Sequence, residues 1–245
     1  MTGRRGPFSL DEVYLGDSLE LMPGVPSESV DLIVTDPPFA IDFRARKGNY
    51  NRAGDRVLNG YCEIDRDDYL AFTTQWMAEA FRILTTSGSV YVFSGWSNLK
   101  DILIGLDAAG FTTVNHLIWK YQFGVFTKKK YVTSHYHILF AVRNPKRYTF
   151  NKIDHYPEDV WEINREYWKG KVKTPTKLPL QLVQKILRYS SNEGDLVFDP
   201  FLGSGTVAVA SATLNRRYLG FEIVEDYLRF ARARLARITD SPPPV

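Results

Sequence analysis

Gly194-Asp-Leu-Val-Phe-Asp-Pro-Phe-Leu-Gly-Ser-Gly-Thr206 is the stretch whose reading decides the fold. A short apolar run, Leu196-Val-Phe198, leads into Asp199, a turn containing Gly203 and Gly205 follows, and a helix of small residues extends over Ser204 to Leu214. Glycines at such a turn let backbone approach a ligand closely, and the turn aims the amides of a helix N-terminus at it. The next strand candidate, Arg217-Tyr-Leu-Gly-Phe221, runs into Glu222, where an acidic side chain is placed to bind ribose hydroxyls. The alternative is purely structural: the glycines turn the chain and Glu222 caps the following helix.

Working outward, the same alternation recurs. Glu12-Val-Tyr-Leu15, Val30-Asp-Leu-Ile-Val34 and Ser89-Val-Tyr-Val-Phe93 read as further strands beside helical stretches at Asp67–Leu84, Asn98–Ala109, Leu178–Tyr189 and Val224–Ile238. Strands separated by helices imply a parallel sheet. Val114-Asn-His-Leu-Ile-Trp119 and His135-Tyr-His-Ile-Leu-Phe-Ala-Val142 have only a polar loop between them and should pair as an antiparallel hairpin at one sheet edge. The expected fold is α/β and Rossmann-like, a seven-stranded, mostly parallel sheet with an antiparallel edge hairpin. Three segments read as irregular: Ala40 to Glu63, Tyr121 to Ser134 and Tyr148 to Thr176. Loops of that length in a compact domain tend to be functional.

Composition narrows the class. The 245 residues suit one large α/β domain or two small ones, and 44% hydrophobic with 24% charged excludes a disordered or low-complexity chain. No apolar stretch approaches the roughly 18–20 residues that span a bilayer. Nor does an apolar region follow the basic Met1–Phe8 start as a secretory signal would require. The lone Cys62 permits neither an internal disulfide nor a cysteine-based metal cage, and this favours a cytoplasmic setting. No metal is expected.

Two turns carry the chemistry. Asp199 stands at the entrance of the glycine turn, where it would repel a pyrophosphate and welcome an ammonium group. That, and the missing third glycine of the dinucleotide fingerprint, favour S-adenosylmethionine as cofactor. The second turn is Asp36-Pro37-Pro38-Phe39, ending the strand at Val30–Val34. An exocyclic amino group is a poor nucleophile because its lone pair is delocalised into the base. The Asp36 carboxylate and the Pro37 carbonyl could accept both N–H hydrogens and help localise that lone pair. The prolines preorganise the acceptors, and Phe39 offers a stacking face worth about 1–3 kcal/mol. Such a base would have to be swung out of a duplex. Taken alone, the turn could equally be a strand terminus with a buried Phe.

With both turns in view, the sequence resembles the amino-directed DNA methyltransferases of the β class. Asp36-Pro-Pro-Phe39 resembles their catalytic tetrapeptide and Asp199-Pro-Phe-Leu-Gly-Ser-Gly-Thr206 their cofactor loop, in the β order with catalysis first. Gly16-Asp17, Trp119-Lys120, Asp159-Val-Trp161 and Phe221-Glu-Ile223 with Tyr227 stand at family-like places, so the resemblance covers nearly the whole chain. It implies one methyltransferase domain: a catalytic half at 10–147, a linker and short recognition region at 148–173, and a cofactor half at 174–238. The DNA-facing loop would be 40–63 and the tail 239–245. It implies that Asp36, Pro37, Pro38 and Phe39 hold the target base. Asp199, Pro200, Phe201, Gly203, Ser204, Gly205 and Thr206 would line the methionine end of the cofactor site, and Glu222 the ribose. Asp17 matches the residue that meets the adenine amino group, though with Glu20 three residues on it also reads as a capping box. Thr174-Pro-Thr-Lys-Leu-Pro179 departs from the family's usual motif at Thr174 and Lys177 but keeps Thr176.

The implied reaction is methyl transfer from S-adenosylmethionine to an amino group of double-stranded DNA. Asp at position 36 favours adenine N6; cytosine N4, or a DNA-binding relative without catalysis, are the alternatives. DNA contacts are expected from Arg44, Arg46, Lys47 and Arg52 after the catalytic turn and from Lys128, Lys129 and Lys130 in the hairpin loop. From Leu117 to Lys152 there are eight Lys or Arg and no Asp or Glu, a run that reads as one phosphate-binding face. A homodimer and a cognate restriction endonuclease are the expected partners besides DNA.

Overall fold

The computed structural model describes residues 3–39, 64–122, 124, 127–166 and 177–239. After a small ribbon of β1 (Arg4–Arg5) and β2 (Phe8–Ser9), the strands of the main sheet are β3 (Glu12–Leu15), β4 (Val30–Thr35), β5 (Leu84–Ser94), β6 (Thr112–Lys120), β7 (His135–Val142), β8 (Val160–Glu162), β9 (Leu196–Asp199) and β10 (Arg217–Glu222). They lie in the order β3-β10-β9-β4-β5-β7-β6-β8. All neighbours are parallel except β5 with β7 and β7 with β6. All seven strands expected from the sequence are present. An eighth, β8, pairs parallel with β6 through Trp119↔Trp161 and covers the outer side of the hairpin. Three residues are too few to show a periodicity, which is why the sequence placed Val160–Glu162 in a linker.

The helices are α1 (Ser18–Leu21), α2 (Tyr69–Ile83), α3 (Leu99–Ala109), α4 (Leu180–Ser190), α5 (Thr206–Thr213) and α6 (Glu225–Thr239). They cover both faces, as a largely parallel sheet requires. Trp76, Met77, Ala80 and Ile83 of α2 and Ile102 and Leu106 of α3 bury one face with Ile33, Val90, Val92 and Phe198. Leu182, Val183, Ile186 and Leu187 of α4 bury the other with Leu32, Val34, Tyr91 and Val197. Along β4, Leu32 and Val34 therefore point one way and Ile33 the other, the period of two that a strand dictates. Val13, Ala208, Val209, Leu228 and Ala231 form a third cluster that seats α5 and α6 beside β3.

This topology places the site. β4, β9, β10 and β3 are parallel, so Asp36, Asp199, Glu222 and Gly16 all emerge at one edge of the sheet. β6, antiparallel to β7, which is antiparallel to β5, ends at that same edge in Lys120, and the loop carrying Lys128–Lys130 leaves from there. Ligands of open α/β sheets bind in the crevice at the carboxyl ends of the strands.

Candidate active site

The two chemical turns meet through one hydrogen bond. β4 pairs with β9 at Leu32↔Val197 and Ile33↔Phe198, and at their ends Thr35 Oγ1 donates to Asp199 Oδ1 at 2.9 Å. The same carboxylate oxygen accepts the Phe201 amide at 3.1 Å, which bends the chain out of the strand. Residue 36 follows directly, so the acceptor turn and the cofactor turn share a wall.

The glycine turn is fixed from three sides. Glu222 Oε2 accepts the Gly203 amide at 2.7 Å and Oε1 the Val224 amide at 2.8 Å. Gly205 sits at φ +76° at the start of α5, and a Cβ there would lie 2.7 Å from the Cβ of Ala231, so both conformation and packing demand glycine. Arg234 of α6 donates to the Ser204 carbonyl at 2.5 Å and to Thr206 Oγ1 at 3.1 Å. Phe201 packs edge-on against Trp76 with ring centroids 5.6 Å apart.

The start of α1 is stapled to the same place. The Gly16 amide donates to the Glu222 carbonyl at 2.9 Å, and the Ser18 hydroxyl donates to the Pro200 carbonyl. Asp17 Oδ1 accepts the Leu19 amide at 2.8 Å, so Asp17 caps α1 at the carboxyl end of β3. Glu222 likewise fixes backbone, so for both side chains the capping reading describes contacts that are present.

The electrostatics are acidic. Burial pushes Asp199 up to about 7, with the charges of Asp36 and Glu222 adding to the rise against the hydrogen bonds from Thr35 and Phe201. Burial also raises Asp36 to about 7, opposed by the guanidinium of Arg165. Glu222 is raised by burial as well. Asp36 Oδ1 is enclosed with no hydrogen-bond partner among the described residues. A buried acceptor left open is costly unless a ligand donates to it. Three desolvated carboxylates at one crevice fit a cationic ligand, and the open acceptor fits an amino group.

Aromatic rings enclose the acceptor side. Phe39 is buried and stacks on Tyr136 at 6.1 Å and 29°. Tyr136 stacks in turn on Trp119 at 5.9 Å, and Tyr121 stands 6.1 Å from it. In the sequence Trp119, Tyr121 and Tyr136 are no more than interleaved aromatics; the register Trp119↔Tyr136 brings them to Phe39. The sequence reading singles out none of Thr35, Ser18 and Arg165. A hydroxyl one residue before Asp36 was a visible signal for Thr35, whereas nothing local marked Arg165.

Other expectations divide. Lys128, Lys129 and Lys130 are exposed, beside Tyr131, which is 98% exposed. The basic run from Leu117 to Lys152 is not one face: Arg143 lies at the opposite end of β7, hydrogen-bonded to Glu28 at 2.7 Å. A strand about 25 Å long separates residues that are neighbours in sequence, given about 3.4 Å per residue over His135–Val142. His137 is buried, its Nδ1 2.7 Å from His116 Nε2, with burial holding its pKa down at about 4. Arg44, Arg46, Lys47, Arg52 and Thr176 lie outside the described residues, as do Cys62 and Thr174.

Comparison with known proteins gives the family. A family model described as DNA methylase matches residues 30–233, from the first residue of β4 into α6. The chain belongs to the DNA methylase family. This DNA methylase is 30% identical over 251 residues to the DNA adenine methyltransferase YhdJ of Escherichia coli, covering 90% of this chain and 81% of YhdJ. It is 29% identical over 241 residues to the type II methyltransferase M.HpaI of Haemophilus parainfluenzae, covering 89% and 72%. Among solved structures, the putative DNA modification methylase TTHA0409 of Thermus thermophilus, complexed with S-adenosyl-L-methionine, superposes with a TM-score of 0.71 at 25% identity, over 93% of each chain. The cytosine-N4-specific PvuII DNA methyltransferase has the same fold, with a TM-score of 0.73 at 19% identity over 98% and 94%.

Proposed function

We propose that this DNA methylase transfers a methyl group from S-adenosylmethionine to the exocyclic N6 of an adenine flipped out of double-stranded DNA. The observation that carries the reading is the Thr35–Asp199 hydrogen bond, which holds the amino-accepting turn against the cofactor turn. The adenine target is supported by Asp at position 36 and by the adenine methyltransferase YhdJ among the relatives.

Asp199, with Phe201 and the backbone of Pro200–Thr206, would hold the methionine end, Glu222 the ribose and Asp17 the adenine amino group; Thr176 is assigned to the same site by its motif. When bound, S-adenosylmethionine supplies an electrophilic methyl on a sulfonium. Asp36 Oδ1 accepts a hydrogen bond from one N6–H and the Pro37 carbonyl from the other. As the N6–methyl bond forms the sulfur would leave as a neutral thioether and the amine release one proton to solvent, while Phe39 with its Tyr136 backing holds the base plane. Water is excluded by the rings of Trp119, Tyr121 and Tyr136. Removing a preorganised partner of this kind costs about 10²–10³ in rate. Lys128–Lys130 would meet the phosphates, with Arg44, Arg46, Lys47 and Arg52 from the segment after Phe39. The short 148–173 region would contribute little recognition of its own, so a homodimer is the proposed assembly, in the cytoplasm, with a cognate restriction endonuclease as functional partner.

The test is transfer of labelled methyl groups to unmethylated DNA followed by modification-sensitive sequencing. N6-methyladenine at a fixed motif is the expected product. N4-methylcytosine would move the target, and DNA binding without transfer would remove the enzymatic reading.

A further inference from the structure

The acceptor pocket has to admit an anion. A nucleotide swung out of a duplex brings its own phosphates with it, and the acids Asp36, Asp199 and Glu222 offer them no attraction. The chain leaving β8 brings a cation to the wall of this pocket. The Ile163 amide donates to the Lys120 carbonyl at 3.1 Å, and Trp119 Nε1 donates to the Ile163 carbonyl at 2.7 Å. The Arg165 amide then donates to Gln122 Oε1 at 2.9 Å, and Glu166 Oε1 accepts the Leu180 amide at 2.9 Å. Arg165 is thus pinned between the end of β6 and the start of α4.

Its side chain runs into the aromatic wall. The guanidinium carbon lies 3.9 Å from the ring centroid of Tyr121, 5.4 Å from that of Tyr136 and 5.7 Å from that of Trp119. Tyr136 is the ring on which Phe39 stacks, so Arg165 stands one ring away from Phe39. Aromatic rings engage a guanidinium through its face and leave its in-plane N–H donors open. Arg165 Nε is enclosed and has no hydrogen-bond partner among the described residues. Nor does Arg165 form an ion pair among them. Its neighbours are committed: Lys120 Nζ binds Glu162 at 2.5 Å and Lys177 Nζ binds Glu166 at 2.5 Å. An enclosed donor without an acceptor is costly unless a ligand supplies one. Nε and one Nη together make a fork that matches two oxygens of a single phosphate.

We infer that Arg165 binds a phosphate of the flipped target nucleotide, its guanidinium seated on Tyr121 one ring away from the stacking face of Phe39. The inference rests on the flipped-base reading and extends it from the base to the backbone of the same nucleotide.

The experiment uses the full chain saturated with S-adenosylhomocysteine, which fills the cofactor site so that added nucleotides report on the acceptor pocket. NMR titration gives the affinities of deoxyadenosine, deoxycytidine and their 5′- and 3′-monophosphates for the parent, Arg165→Gln and Arg165→Lys. The parent should hold one deoxyadenosine monophosphate at least about tenfold tighter than deoxyadenosine. Arg165→Gln should lose that preference while binding deoxyadenosine as the parent does, and Arg165→Lys should keep part of it. In the parent, the Arg165 Nε–H resonance, assigned by its loss in Arg165→Lys, should shift with the monophosphate and not with deoxyadenosine. A parent that prefers the phosphates of neither nucleoside overturns the inference, as does an Arg165→Gln that retains the preference. An unmoved Nε–H resonance overturns it even where Arg165→Gln fails to fold. A preference confined to the deoxycytidine phosphates would move the target base and uphold the role of Arg165. Failure of methyl transfer to DNA would end the proposed reaction, while the nucleotide titrations would still decide whether Arg165 binds a phosphate.

Discussion

Asp36 and Asp199 are held above their ordinary range by burial, a cost that a cationic or amino ligand would remove. A carboxyl whose pKa is higher folded than unfolded favours the native state when protonated. Its contribution is therefore fully present below about pH 4 and is lost as pH rises through about 7. Asp36→Asn should raise the melting temperature of the cofactor-free protein at pH 8 while changing it little at pH 4, which differential scanning calorimetry would show. Methyl transfer by that variant should fall by at least about a hundredfold, with cofactor affinity largely kept. The cofactor responds in the opposite sense. Binding a cation requires the ionised carboxylate, so the affinity for S-adenosylmethionine should increase as pH rises from 6 to 8. S-adenosylhomocysteine keeps the ammonium group that Asp199 would meet and should show a similar dependence, whereas 5′-methylthioadenosine, which has neither ammonium nor sulfonium, should show a much weaker one by isothermal titration calorimetry. Equal slopes for S-adenosylmethionine and 5′-methylthioadenosine would refute an electrostatic role for Asp199.

At the level of elements, the glycine turn is the most demanding part. Gly205→Ala places a Cβ at a left-handed φ and 2.7 Å from Ala231, so it should destabilise the protein by about 1–3 kcal/mol in urea unfolding and weaken cofactor binding. Elements such as α2 were legible in the sequence because Trp76, Ala80 and Ile83 recur at helical spacing, and β4 because its apolar run ends at a proline pair. Both chemical turns were legible for the same reason: each is a short local motif. What escaped is non-local. β8 exists only because Trp161 pairs with Trp119, and Arg165 acquires its place only from rings supplied by β6 and β7 and the residue after β6. The basic run misled because sequence proximity is not spatial proximity along a strand, which separates Arg143 from Lys128.

Across the whole molecule, acids line the crevice and bases rim the hairpin loop that opens beside it. Replacing Lys128, Lys129 and Lys130 with Gln should weaken DNA binding and reduce the slope of log affinity against log salt by about 0.9 for each phosphate that is no longer neutralised. An unchanged slope in filter-binding or fluorescence titrations would remove those lysines from the interface. The order of strands has a consequence during synthesis. β4 finds one neighbour, β5, soon after it is made, but its other neighbour, β9, comes far later in the chain, and among the described residues β3 pairs in the main sheet with β10 alone. A nascent chain leaving the ribosome therefore carries Leu32, Ile33 and Val34 on a half-paired strand until most of it has been translated. Chains truncated before β9 should collect with chaperones or in inclusion bodies, and the two turns cannot meet until the last strands arrive.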